Sequence, residues 1–131
     1  MSQIRKYTLP FKAIIAIDFD LTICMSNYPE LGMQRNGASL VMNSLIKEGY
    51  GIVVNTCREM LPLADAIKWM EANDIPYHYL NCNFPHLIEF YGSDSRKISA
   101  DLYVDDKCIG GLPEWLDIHK LIKQKFKNGS S

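Results

Sequence analysis

AIIAIDFDLTI, residues 13–23, runs five apolar residues, Ala13 to Ile17, into two aspartates separated only by Phe19. An unbroken apolar run of this length fits a strand buried on both faces, as in a parallel sheet covered by helices. Asp18 and Asp20 then stand at the end of a core strand, where a carboxylate loses hydration unless a cation or hydrogen-bond donors compensate it. The pair calls for a partner.

The residues that follow alternate between strand and helix patterns. CMSNYPELGMQRNG is polar and punctuated by Pro29, Gly32 and Gly37, which predicts a loop or a short β-hairpin flap. The spacing then predicts a helix from Ala38 to Lys47 with Val41 and Leu45 on one face, stopped at Gly49, which tolerates positive φ. Ile52 to Asn55 reads as a second buried strand. A second helix is expected over Met60 to Asn73, its core face carrying Met60, Leu63, Ala64, Ile67 and Met70, before NDIP ends it.

A short strand is expected at Tyr77 to Leu80, and NCNFPHLIEFYGSDSRK after it has no regular pattern. DLYVDD is a further strand, and Pro113 opens a last helix with Trp115, Ile118, Ile122 and Phe126 on its inner face. The expectation is one domain over residues 1–127 with a frayed tail at 128–131.

Composition narrows the function classes. The 131 residues are 47% hydrophobic and 22% charged, enough for a real core, and a net charge of −1 offers no broad footprint for a nucleic-acid backbone or an anionic membrane. No apolar run reaches the roughly 18 residues of a membrane helix, and MSQIRKYTLPFK lacks the apolar centre of a signal peptide. Cys24, Cys57, Cys82 and Cys108 are widely spaced, without a CxxC pair, and no arginine stands six positions after any of them. Reduced thiols, a cytoplasmic location and a small-molecule partner are expected.

Strands alternating with helices give an α/β class: a three-layer α/β/α Rossmann-like fold with a mainly parallel central sheet. Sites in such sheets lie beyond the carboxyl ends of the strands. Asp18 and Asp20, then Thr56, then Asp105 and Asp106 each follow an apolar run, so all are expected on one rim.

DFDLT after the first strand, Thr56 after the second, Lys97 before the last strand and VDD at its end resemble, in order and placement, the four motifs of the haloacid dehalogenase-like superfamily. The resemblance spans residues 13–106. It implies a Mg²⁺-dependent phosphatase working through an aspartyl-phosphate. Asp18 is then the nucleophile and Asp20 the acid and base that serves the leaving oxygen and the attacking water. The implied metal ligands are a carboxylate oxygen of Asp18, the backbone carbonyl of Asp20 and the carboxylate of Asp106, with Asp105 behind them. Thr56 and the Cys57 N–H would hold phosphoryl oxygens, and Lys97 would balance their charge, with Arg96 its competitor. Arg58 is a candidate phosphate clamp and His86 a candidate substrate contact; His78 and His119 have no metal-ligand spacing, and His119 sits in a helix.

Two departures from the family pattern stand out. Leu21 occupies a position where glycine is common, and leucine resists positive φ, so a turn of different shape is expected. Lys97 also lacks a following proline. The gaps between motifs have no room for a cap domain, so an open, capless site is expected, with residues 81–94 as candidate substrate contacts. The alternative is a catalytically silent, receiver-like module that binds phosphate or metal. Against it stands the order of residues, with Lys97 before the terminal aspartate pair.

Overall fold

The computed structural model of the chain describes residues 11–82 and 100–127. Four parallel strands form one sheet: β1 (Ile14–Asp18), β2 (Gly51–Asn55), β3 (Tyr79–Leu80) and β4 (Leu102–Val104), in the order β3-β2-β1-β4. Among the described residues three helices accompany it: α1 (Ala38–Lys47), α2 (Met60–Ala72) and α3 (Trp115–Lys125). This is the expected α/β, Rossmann-like fold. Among the described residues no helix is long and apolar enough to cross a membrane.

Alternation along the strands divides the core. Ala13, Ile15, Ile17, Ile52 and Val54 join buried residues of α1, α2 and α3 in the main cluster. Ile14, Ala16 and Val53 form a smaller cluster with Phe11, Tyr79 and Ala100. All three described helices therefore lie on one face, so the described residues show two of the three expected layers. Residues 83–99, the tail 128–131 and most of the candidate contact segment 81–94 lie outside the described residues.

Local chemistry explains where the elements stop. Gly49, at φ +99°, ends α1: its N–H donates to the Ile46 carbonyl and the Tyr50 N–H to the Leu45 carbonyl, a Schellman closure. The polar stretch before α1 folds as the flap, with the Met25 N–H donating to Met33 O, and Asn27 and Glu30 exchanging backbone hydrogen bonds across Tyr28–Pro29. Only this flap and α1 separate β1 from β2, so no cap domain interrupts that part of the chain.

Two expectations are corrected here. On α2 the buried residues are Ala66 and Met70, with Trp69 packed beside them, while Met60, Ala64 and Ile67 are exposed. The helix is rotated because Trp69 carries the largest apolar surface: its ring meets Phe19 edge-on at 5.5 Å and its indole N–H donates to Gly32 O. Leu21 does not avoid positive φ; it sits at +64°, in the left-handed region, a strain of about 1–2 kcal/mol.

Candidate active site at the carboxyl rim of the sheet

The rim is built by strand register. β1 pairs with β2 as far as Asp18 opposite Asn55, and with β4 as far as Ile17 opposite Val104, so Asp18 and the Asp105–Asp106 pair leave the sheet side by side. Trp115 locks the loop after β1 from below, its indole N–H donating to the Thr22 carbonyl at 3.0 Å with both groups buried. Arg35 donates to the Leu112 and Pro113 carbonyls and so ties the segment that leads into α1 to the approach of α3.

Asp18, Asp105 and Asp106 converge. Each offers a carboxylate oxygen, and these oxygens lie within 4.8 Å of one another. Burial first, then the charges of Asp105 and Asp106 with a hydrogen bond shared with Asp106, push the Asp18 carboxyl up from 3.8 to about 7. Three hard oxygen donors at this spacing suit a small divalent cation of the magnesium type, which takes one or two carboxylates and completes its shell with other oxygens. The residues fit the ion. Asp105 also accepts the Lys107 N–H at 2.9 Å, which fixes the turn after β4.

Asp20 stands apart from that cluster. Arg58 donates to both of its oxygens, and the Ser26 hydroxyl donates to Oδ1. Burial alone would raise the Asp20 carboxyl, but the hydrogen bonds from Arg58 and Ser26 and the arginine charge outweigh it and hold the group below its ordinary value.

Arg58 therefore does not serve as an open phosphate clamp. Its side chain is buried, lies over Phe19 and Tyr28, and donates also to the carbonyls of Pro29 and Pro62. It binds Asp20, the flap and the first turn of α2 together. Sequence placed a cation near the site but had no signal for its direction, since that depends on where the flap returns.

Thr56 is intermediate in exposure and accepts the Arg58 backbone N–H on its hydroxyl oxygen at 3.0 Å, leaving the hydroxyl proton free to donate. Its own N–H donates to the Asn81 side-chain oxygen at 2.8 Å. Asn81, the first residue of the candidate contact segment, thus supports Thr56, and Ser26 is a supporting residue that sequence reasoning missed, a short polar side chain indistinguishable there from an ordinary turn residue. Cys57 is exposed. Lys97, Arg96 and His86 lie outside the described residues. Elsewhere, His78 accepts the Ile52 N–H on Nδ1, and His119, on α3, contacts the Glu48 carboxylate at 3.0 Å.

Among solved structures, the chain is similar to a conserved protein from Bacteroides thetaiotaomicron, with 34% identity and a TM-score of 0.77 over 86% of this chain and 91% of that one. The chain belongs to that protein's family. The likeness covers most of both chains, so the α/β fold is shared, and the chemistry has to be read from the rim residues. A part of the chain, 64% of it, is 29% identical to the alpha-1,4-L-rhamnosidase of Formosa agariphila, but this spans only 22% of that enzyme. No protein-family model matches the chain.

Proposed function

We propose that the chain is a cytoplasmic Mg²⁺-dependent phosphatase of the haloacid dehalogenase-like type, hydrolysing the phosphate monoester of a small molecule through an aspartyl-phosphate on Asp18. The observation that carries this reading is the convergence of Asp18, Asp105 and Asp106 at the end of the sheet. When bound, a magnesium ion would offset the repulsion between a carboxylate and a phosphate dianion.

The first half-reaction forms a bond between a carboxylate oxygen of Asp18 and phosphorus as the bond to the leaving oxygen breaks. In the second, water attacks phosphorus, giving a proton to Asp20 and releasing the Asp18 carboxylate with inorganic phosphate. Thr56 has a hydroxyl proton to donate to a phosphoryl oxygen, and Lys97 is the proposed counter-charge. Because Arg58 and Ser26 favour ionised Asp20, the base role is supported more strongly than the acid role. Esters whose leaving oxygen needs no proton are therefore expected to turn over fastest.

The test is hydrolysis of a generic aryl phosphate by the purified chain. Turnover should require Mg²⁺, cease with a chelator, and fall by roughly 10³-fold or more in Asp18→Asn. Metal-independent hydrolysis, or a variant within tenfold of the wild type, would reject the mechanism.

A further inference from the structure

The loops around Asp18 and Asp20 expose large apolar side chains where a solvated rim would ordinarily be polar. Leu21, directly after Asp20, is 45% exposed; Tyr28 at the flap tip is 61% exposed; Met60 and Leu61 at the start of α2 are 87% and 76% exposed. Their loops meet at Arg58. Arg58 joins Asp20 to the carbonyls of Pro29 and Pro62, and its guanidinium carbon lies 5.0 Å from the Tyr28 ring centre.

Backbone strain marks two of them. Leu21 and Met60 both adopt left-handed conformations, at φ +64° and +52°, that asparagine or glycine would accept more readily. Strain held at exposed apolar residues beside a reactive centre points to use of those side chains rather than to packing. The chemistry of the rim is also specific. A methionine thioether and a tyrosine ring both favour aromatic partners. Glu30 and Glu59, exposed on the same two loops, disfavour a second anionic group.

We infer that this rim seats the leaving group of the substrate, and that the leaving group is a neutral aromatic ring: the substrate class is an aryl or heteroaryl monophosphate rather than a sugar phosphate or a polyphosphate. The inference rests on the phosphatase reading above, since it takes the phosphate to lie at Asp18. It deepens that reading by assigning the mouth of the site to the apolar half of the molecule.

The test compares two inert probes, phenylphosphonate and methylphosphonate, titrated by calorimetry into the full chain in the presence of Mg²⁺. Partial burial of one ring face should make phenylphosphonate bind about tenfold more tightly. In the double variant Leu21→Asn/Met60→Asn, which suits the left-handed backbone, that preference should shrink to about twofold while the melting temperature holds or rises. Equal affinities in the wild type, a preference that survives in the variant, or no binding of either probe would overturn the inference. So would a self-associating chain that the double variant dissociates, because the rim would then belong to a second copy. Aromatic preference without turnover of phenyl phosphate rejects the phosphatase mechanism alone, whereas turnover without the preference rejects the rim assignment alone.

Discussion

Arg58 holds Asp20 in a two-pronged ion pair, Nη2 to Oδ1 at 2.7 Å and Nε to Oδ2 at 3.1 Å, with the guanidinium buried and the carboxylate partly open to solvent. An arginine suits this place because its planar fork can grip a carboxylate and still reach two backbone carbonyls. The pair favours ionised Asp20 and ties it to the flap and α2, while Asp18, Asp105 and Asp106 form the separate cluster.

Arg58→Met should therefore do two things. It removes a buried cation with four engaged N–H groups, leaving the carbonyls of Pro29 and Pro62 unpaired, and should lower stability by about 3 kcal/mol. Chemical denaturation measures that loss. With Asp20 released from the charge, its pKa should rise, so the acidic limb of the rate profile should move to higher pH. An unchanged profile would mean that Asp20 is not the titrating group.

Metal-free stability should fall as pH rises from about 4 to 7. The folded-state pKa of Asp18 stands at about 7, above its ordinary 3.8, so the folded chain keeps a proton that the unfolded chain has lost. This contribution is fully present below about pH 3.8 and is lost as pH rises through 7. His78 works in the opposite direction, because burial lowers its pKa and stability falls with acidification below its ordinary 6.5. Asp18→Asn isolates the aspartate: thermal unfolding in chelator should show the variant gaining on the wild type from pH 5 to pH 8. Parallel curves would remove the electrostatic strain from Asp18.

Gly32→Ala tests the flap. A Cβ there would stand 2.1 Å from the Met25 carbonyl oxygen, a backbone atom with no freedom to move aside. The Gly32 carbonyl also receives the Trp69 indole N–H, and its N–H donates to the Cys24 sulfur. A loss of about 2 kcal/mol is expected, together with faster hydrogen exchange in residues 25–33. A neutral substitution would show that the flap relaxes easily.

The order of strands and helices was legible because each buried strand is an unbroken apolar run and each helix an amphipathic one. Asp18, Asp105 and Asp106 were legible for a related reason: in a parallel sheet, residues that follow core strands share a rim whatever their separation in sequence. Arg58 was not, because its partner Asp20 lies 38 residues away and the flap decides which way the guanidinium turns. The face of α2 was misjudged because Met70 belongs to both possible stripes and only Trp69 against Phe19 selects between them. Leu21 shows the same limit: its N–H donates to the Cys24 carbonyl in a tight loop whose positive φ runs against the residue's own local preference.

Calorimetric titration of Mg²⁺ into the wild-type chain and into Asp106→Asn at pH 8 tests the three-carboxylate centre most directly. One site in the wild type, weakened at least about tenfold in the variant, is the expected result. Equal binding by both proteins, or none by the wild type, would contradict a metal held by Asp18, Asp105 and Asp106.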